Sequence, residues 1–287
     1  MKRARHGLFS LMFVAAAAQA QMPAFAWDDG TVPYVNTPME VVERMLILGQ
    51  VKAGDRVIDL GSGDGRIVIA AAKRGASGLG VDLDPYLVKL ATDNAAKAGV
   101  ADRARFEVRD IFDTDLSGAT VVTMYLLPEF NAKLLPRLLK LRPGTRIVSH
   151  DGGIGDWPPD ETWELRTPEK AVGLGGRSRI DLWVVPTDVA GDWTSELPQH
   201  GGRWQFHVAQ HYQRLEVEAR TGGRDLVVRN TRLRGEEIKL IVTGRVGARA
   251  WHHYFVGTAR GDAIDGNVTV SDGEQEIVYP WHATRAR

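Results

Sequence analysis

The segment best suited to chemistry is a glycine loop with acidic neighbours, Asp59 to Arg66 (DLGSGDGR). It follows a short apolar run, Arg56 to Leu60, and precedes an alanine-rich stretch around Ala70 to Ala72. This order predicts a strand, a tight loop and a helix. Glycines in such a loop let the backbone approach a ligand at the N-terminus of the helix. The segment therefore predicts a ligand-binding turn.

The charges of this loop distinguish between two ligands. A dinucleotide fingerprint has the form G-x-G-x-x-G, and its helix N-terminus faces a pyrophosphate. Here Arg66 stands in place of the third glycine, and Asp59 and Asp64 would repel phosphates. A sulfonium cation with a free amino group would instead be attracted. We therefore predict S-adenosylmethionine as the cofactor, and an NAD-dependent oxidoreductase is the weaker alternative.

Two further aspartates follow the next predicted strands. Asp82 ends the second strand and Asp110 ends the third. In open α/β sheets ligands lie at the carboxyl ends of the strands, near the point where the winding direction changes. We expect Asp82 to accept from the ribose hydroxyls and Asp110 from the adenine amino group, with Leu83 and Ile111 packed on the adenine. A single aspartate after a strand is usually a cap or a turn residue. Three aspartates at such positions, Asp59, Asp82 and Asp110, favour a ligand site.

Three motifs, Asp59 to Gly65, Val81 to Asp84 and Arg109 to Ile111, resemble those of class I, seven-strand S-adenosylmethionine-dependent methyltransferases. Within that superfamily, three segments are similar to bacterial relatives of the mitochondrial protein-lysine methyltransferases. These segments are Val32 to Pro38, Gly61 to Lys73 and Tyr125 to Glu129. The resemblance covers roughly residues 32–186 and implies cofactor contacts from the N-terminal segment as well. The predicted cofactor-binding residues are Tyr34, Thr37, Asp59, Gly61, Ser62, Gly63, Asp64, Gly65, Asp82, Leu83, Asp110 and Ile111.

The turn after the fourth strand limits the methyl acceptor. Methyltransferases acting on adenine amino groups or glutamine amides have an Asn/Asp-Pro-Pro-aromatic turn there, whereas this chain has Met124 to Pro128 (MYLLP). The absence of cysteine excludes the covalent route to cytosine carbon and thiolate zinc sites. Direct in-line transfer to a neutral nucleophile remains. We predict N-methylation of a protein lysine or a small amine, with Tyr125 as the candidate catalytic residue in the acceptor channel, although such aromatic residues more often only pack.

The histidines give weaker signals. The His150-Asp151 pair after the fifth strand could take up a proton, or His150 could only hydrogen-bond the backbone. His207 with His211, or His252 with His253, could suggest a metal site, but neither pair has a third ligand nearby. No metal site is predicted.

The elements around these motifs predict an α/β fold. Thr37 is expected to cap a helix with Pro38 as its first residue. Strands and helices then alternate, which indicates a parallel, Rossmann-like open sheet. Two later strands, Thr162 to Arg166 and Ile180 to Val185, have no helical period between them and are expected to form an antiparallel hairpin at one sheet edge.

Past Pro186 helical periodicity disappears. Short apolar runs separated by glycine-containing turns predict a small antiparallel all-β domain over residues 187–287, either a sandwich or a partly open barrel. Thr187 to Gly191 is its predicted linker. Its tryptophans, Trp193, Trp204, Trp251 and Trp281, could stack on a ligand but are expected to fill the core. The methyltransferase domain is then predicted over residues 27–186.

The N-terminus predicts export. Three basic residues before residue 6, an apolar run from Gly7 to Ala18 and small-residue sites before positions 21 and 27 are typical of a signal peptide over residues 1–26, cleaved after 20 or 26. The mature protein is expected to be periplasmic or secreted, or cytoplasmic if cleavage fails. No segment approaches the roughly 20 apolar residues of a transmembrane helix.

Composition and destination leave two functions open. The 287 residues contain 36 basic and 36 acidic side chains, so no global basic excess favours nucleic acid. S-adenosylmethionine is made in the cytosol, which conflicts with export. The cofactor motifs support the main hypothesis, a methyltransferase acting on a protein or small-molecule acceptor. The alternative is an exported, non-catalytic module that binds a nucleoside or S-adenosylmethionine and uses its β domain for a partner.

Overall fold

The computed structural model describes residues 25–27, 33–170, 175–246 and 249–286. Most of the predicted signal peptide lies outside these residues. Its last residues fall in β1 (Phe25–Trp27), which pairs antiparallel with β2 (Pro33–Val35). Beyond this ribbon lie two regions, a seven-stranded sheet with helices and a closed eight-stranded barrel.

Among the residues that the structure describes, the first region contains four helices and the seven strands of one sheet. In chain order they are α1 (Met39–Leu48), β3 (Arg56–Leu60), α2 (Arg66–Lys73), β4 (Ser77–Asp82), α3 (Pro85–Lys97), β5 (Ala104–Val108), β6 (Val121–Met124), α4 (Pro128–Leu138), β7 (Arg146–His150), β8 (Glu161–Arg166) and β9 (Arg177–Val184).

The sheet has the order β5-β4-β3-β6-β7-β9-β8. The first five strands are parallel, β9 is antiparallel to β7, and β8 is antiparallel to β9 at the edge. The predicted α/β fold with an antiparallel edge hairpin is therefore confirmed. The winding direction changes between β3 and β6, and this change creates a crevice at their carboxyl ends.

Apolar side chains cover both faces of the sheet. On one face α1 and α2 bury Val41, Met45 and Ile67. On the other, Leu134 and Leu138 of α4 pack in one cluster with tryptophans that follow β7 and lie in β9. The strands are apolar because both faces are covered, so polar side chains concentrate at the strand ends.

The start of α1 differs from the prediction. Pro38 is the N-cap residue and not the first helical residue, and no side chain caps this end. The Thr37 hydroxyl instead lies 3.4 Å from Nδ1 of His150. At the start of α3, Asp84 is the N-cap residue, and its carboxylate accepts a 2.8 Å hydrogen bond from the Tyr86 amide.

The second region confirms the predicted antiparallel all-β domain. It is a closed barrel, whereas the sequence predicted a sandwich or a partly open barrel. Neighbouring strands pair in chain order, and the last pairs with the first. Trp193, Trp204 and Trp281 are buried in its core, as expected. Its strands are β10 (Gly191–Leu197), β11 (Gly202–His211), β12 (Arg214–Thr221), β13 (Arg224–Arg234), β14 (Glu237–Val246), β15 (Arg249–Arg260), β16 (Ala263–Ser271) and β17 (Glu276–Arg285).

The segment between the two regions is hydrogen-bonded to both. The amide of Val185 donates to Thr145 O at 2.9 Å, and that of Thr187 donates to Gly235 O at 2.8 Å. Thus the chain leaves the sheet and enters the barrel with little free length. The predicted boundary at residues 186 and 187 falls in this segment and stays a prediction.

None of the described helices combines the length and the apolar character needed to cross a bilayer.

Candidate active site

A cavity of about 320 Å³ lies at the carboxyl ends of β3, β4 and β6. Its position is the crevice where the winding direction changes. Eleven of the twelve predicted cofactor residues line it, as does Tyr125. The full lining comprises Tyr34, Val35, Asn36, Thr37, Asp59, Gly61, Ser62, Gly63, Asp64, Arg66, Ile67, Asp82, Leu83, Leu87, Asp110, Ile111, Phe112, Tyr125, Leu126, Leu127 and Phe130.

The exception is Gly65, which lies behind the wall. It is the N-cap of α2 with φ +81°. A Cβ there would lie 2.6 Å from Phe106 and 2.8 Å from Ala91. Gly65 is therefore needed for close packing of the loop against β5 and α3, and the structure does not place it beside a ligand.

Gly63 forms the floor of the cavity beneath the N-terminal segment. Its φ is +52°, and a Cβ would lie 2.4 Å from the ring of Tyr34. Its amide donates a 2.8 Å hydrogen bond to Oδ2 of Asp82. The loop, the N-terminal segment and the end of β4 are thus held together at this glycine.

Asp82 and Asp110 keep their expected positions at the ends of β4 and β5. The carboxylate of Asp82 also accepts from the Asp84 amide at 3.1 Å, which fixes its orientation. Burial raises the pKa of Asp82. Oδ1 of Asp110 accepts from the Phe112 amide at 2.8 Å. Both carboxylates line the cavity and retain lone pairs for a ligand.

Asp59 is the most deeply buried of these acids, with 1% of its surface exposed. Oδ1 accepts a 2.7 Å hydrogen bond from the hydroxyl of Thr123 on β6. Burial, and next the charges of Asp82 and Asp64, raise the pKa of Asp59 to about 7. A cation brought beside it would stabilise the ionised form.

Asp64 does not act as a free negative charge, which corrects the reasoning from the loop sequence. Its carboxylate is paired with the Arg66 guanidinium, with an Nη2 to Oδ2 distance of 2.5 Å and an Nε to Oδ1 distance of 2.8 Å. Arg66 also donates to the carbonyl oxygen of Thr37 at 2.7 Å. The loop sequence shows Arg66 only as a replaced glycine and does not indicate this pairing role.

The N-terminal segment closes one side of the cavity through Tyr34. Burial and the nearby carboxylate of Asp64 raise the pKa of Tyr34 to about 12. The phenol is therefore neutral at physiological pH. The packing of the Tyr34 ring on Gly63 and the hydrogen bond from Arg66 to the Thr37 carbonyl hold the segment over the glycine loop.

The part of the cavity lining that follows β6 is apolar and aromatic. Tyr125, Leu126, Leu127 and Phe130 form it. Burial, and next the charge of Asp151, raise the pKa of Tyr125 to about 12. A neutral phenol and aliphatic side chains disfavour a charged ammonium and accommodate a neutral amine.

His150 lies behind Tyr125 and is fully buried. The centroids of the two rings are 4.0 Å apart. Nε2 of His150 is 2.9 Å from the hydroxyl of Ser178, so the ring bonds to side chains rather than to backbone. Burial lowers the pKa of His150 to about 4. A neutral, enclosed imidazole supports the wall and does not reach an acceptor in the cavity.

The remaining histidines form no metal site. Within the described ranges, no group of three or more His, Asp or Glu side chains has an arrangement that could hold a metal ion. His207 instead pairs with Asp192 at 2.7 Å on the barrel surface.

The residues present fit S-adenosylmethionine. The cavity lining carries Asp59, Asp82 and Asp110, which suit an amino group, a ribose and an adenine amine. The hydroxyl of Ser62 in the cavity wall is buried and has no hydrogen-bond partner among the described residues. Buried hydroxyls are rarely unpaired, so this group has capacity for a ligand.

Comparison with known proteins identifies the family. The ANTKMT methyltransferase domain matches residues 59–161. A protein-lysine N-methyltransferase of Saccharolobus islandicus is 47% identical over 133 residues, which are 45% of this chain and 83% of that protein. The adenine nucleotide translocase lysine N-methyltransferase of Mus musculus is 35% identical over 130 residues, which are 45% of this chain and 56% of that protein. The chain thus spans about half the length of this mouse relative.

A solved structure is also similar over the first region. It is described as an RNA methyltransferase from Salinibacter ruber in complex with S-adenosyl-L-homocysteine. Its sequence is 49% identical, and the match covers 54% of this chain and 96% of that one with a TM-score of 0.48. The family model ends at residue 161, before the barrel begins.

Proposed function

Because the chain belongs to the class I S-adenosylmethionine-dependent methyltransferases, we propose that it methylates the side-chain amine of a lysine in a protein. The observation that carries this proposal is a single cavity whose lining combines the carboxylates of Asp59, Asp82 and Asp110 with the apolar and aromatic side chains that follow β6. The similarity to protein-lysine N-methyltransferases supports the same acceptor.

S-adenosylmethionine would supply a methyl group on a positively charged sulfur. That methyl would pass to the lone pair of a neutral amine as its bond to sulfur breaks, S-adenosylhomocysteine would leave, and the methylated ammonium could lose its proton to solvent. Asp59, Asp82 and Asp110 would hold the amino group, the ribose and the adenine. Tyr125, Leu126 and Phe130 would surround the acceptor amine, exclude water and favour its uncharged form. The chain thus contributes proximity, orientation and a dry pocket.

Transfer from radiolabelled S-adenosylmethionine tests the proposal. The full chain would be incubated with protein and nucleic acid extracts from a strain that lacks its gene. We expect label in mono-, di- or trimethyl-lysine after acid hydrolysis, and none with the Gly63→Val variant. Label only in nucleic acid would refute the lysine assignment. Cofactor binding without transfer to any fraction would favour the alternative, a non-catalytic binding module.

We also propose that the chain is exported. The support is the basic N-terminus, the apolar run and the two cleavage motifs before residue 27. Mass spectrometry of the mature protein is expected to find an N-terminus at Gln21 or Trp27. Retention of Met1 on the bulk protein would contradict export.

A further inference from the structure

The barrel contacts the methyltransferase region through the turn between β11 and β12. The ring of Tyr212 stacks on Trp157, with centroids 5.9 Å apart, and its hydroxyl donates to Asp156 at 2.7 Å. Gln213 accepts from Trp157 Nε1 at 2.8 Å and donates to the Pro158 carbonyl at 2.6 Å. All of these contacts fall on one loop, residues 151–158, which follows β7.

That loop packs against Leu126, one of the cavity-lining residues that follow β6 and that would surround the acceptor. A Cβ on Gly152 would lie 3.1 Å from the carbonyl oxygen of Leu126, which lines the cavity. The same Cβ would lie 2.4 Å from the side-chain amide of Asn131 in α4. Ile154 is fully buried in one cluster with Leu134. The loop therefore supports both Leu126 and the first turns of α4.

We propose that Tyr212 and Gln213 are positioning residues for the acceptor. By fixing the loop 151–158, this turn of the barrel would hold Leu126 and the start of α4 in the geometry that receives the amine. This role rests on the proposed function. It assigns the barrel a part in the transfer reaction and leaves cofactor binding to the methyltransferase region alone.

The chemistry of Trp157 explains why the turn has this effect. Trp157 is buried, with 2% of its surface exposed, and its Nε1 has Gln213 as its acceptor. Removing that acceptor leaves a buried donor unpaired, which costs more than the bond itself contributes. The loop must then move to hydrate the indole. Because Gly152 and Ile154 belong to the same short loop, that movement reaches the cavity wall.

The carboxylate of Asp82, which would hold the ribose, is fixed without this turn. Asp82 and Gly63 are fixed by each other and by the Asp84 amide. The contacts of the turn fall on Asp156, Trp157 and Pro158. The proposal therefore separates two measurements, cofactor affinity and acceptor transfer.

Hydrogen exchange of the full chain tests the proposal without any acceptor. In Gln213→Ala we expect about tenfold faster exchange, about 1.4 kcal/mol, in residues 152–158 and also in 126–135. Exchange in residues 91–108 should not change. The matched control is Gln205→Ala, an exposed glutamine on β11. A change confined to residues 152–158, or an equal change in the control, would overturn the proposal.

Kinetics give the second test, with the lysine substrate identified by the transfer experiment. Gln213→Ala should lower kcat/KM for the acceptor at least fivefold while the Kd for S-adenosylhomocysteine stays within twofold. Gln213→Glu keeps an acceptor for the indole but loses the donor to the Pro158 carbonyl, so it should recover only part of the loss. An unchanged kcat/KM would refute the positioning role. If the unaltered chain transfers no methyl group, the proposed function fails, and hydrogen exchange still decides whether the turn supports the wall.

Discussion

The seven-stranded sheet and the eight-stranded barrel use their interiors differently. The sheet leaves its strand ends open, and polar groups such as Asp59, Ser62 and Asp82 line the resulting cavity. The barrel is closed and filled with large aromatic side chains such as Trp204 and Phe255. An open sheet with a change of winding direction therefore provides a ligand site, whereas closure of this barrel provides a packed core and a rigid surface for docking.

The largest expected effect tests whether the ligand site belongs to the sheet. Gly63→Val should abolish S-adenosylmethionine binding, a loss of more than a hundredfold, because the new side chain would displace Tyr34 and fill the floor of the cavity. Titration calorimetry and circular dichroism would measure binding and folding.

The matched control for Gly63 lies in the barrel. Gly223 also has a positive φ, +74°, but a Cβ there meets nothing within 4 Å. Gly223→Val should impose similar backbone strain and leave binding intact. If both variants lost binding equally, Gly63 would matter for folding rather than for the ligand.

A smaller effect is expected from single carboxylates. Asp82→Ala should weaken S-adenosylmethionine binding by about 1 to 3 kcal/mol, since it removes charge-assisted hydrogen bonds to the ribose and frees the Gly63 amide. Asp265→Ala removes a barrel carboxylate that pairs with His282 at the surface and should leave affinity unchanged. Unchanged affinity in Asp82→Ala would refute the ribose assignment.

The sequence predicted the sheet well because its signals are local. The strand Arg56–Leu60 has the predicted bounds, since an apolar run flanked by aspartate and glycine defines it without distant information. The lining of the cavity follows from the same rule, because parallel strands all end at one edge. The places of Asp82 and Asp110 in the lining are therefore predictable from the sequence.

The features that were missed depend on distant pairs. Thr37 and His150 are 113 residues apart, and no local pattern indicates their contact. Closure of the barrel requires Ser195 to pair with Ala283, which strand alternation alone does not show. Strand β11 was missed although Trp204, Phe206 and Val208 alternate with exposed residues. That period of two could have been found.

The pH dependence of binding separates the two interiors further. In the free protein Asp59 has a pKa of about 7, so it is mostly neutral below pH 7 and would need to ionise to hold the cofactor amino group. Affinity should therefore fall about tenfold per pH unit below 7 and level off above it. Titration calorimetry between pH 5.5 and 7.5 measures this slope, and Asp59→Asn should abolish it.

The raised pKa of Asp59 also predicts how the stability of the fold depends on pH, in the direction opposite to cofactor affinity. The raised pKa of Asp59 means that its contribution to folding is complete below pH 4 and is lost as the pH rises through 7. In the barrel, burial lowers the pKa of His253 to about 4, so this imidazole stays neutral throughout the tested range. For binding, if the S-adenosylmethionine affinity of Asp59→Asn still fell with decreasing pH, another group would control the pH dependence.

The smallest expected effect on cofactor binding comes from removing the barrel altogether. A chain of residues 27–186 should fold, because an α/β core of this size buries its own apolar faces. It should bind S-adenosylmethionine within about tenfold, or 1.4 kcal/mol, of the mature chain, since all the cofactor residues precede Pro186. Transfer to the native acceptor should be lost, because Trp157 would lose both Tyr212 and Gln213. Calorimetry with S-adenosylmethionine and the lysine-transfer assay measure the two quantities on one preparation.

The mature chain with Gln213→Ala is the matched control, because it disturbs the same indole without exposing the whole interface. Aggregation, or a loss of cofactor affinity beyond tenfold, would show that the sheet and the barrel share a core, and the contrast between an open binding sheet and a separate packed barrel would then fail.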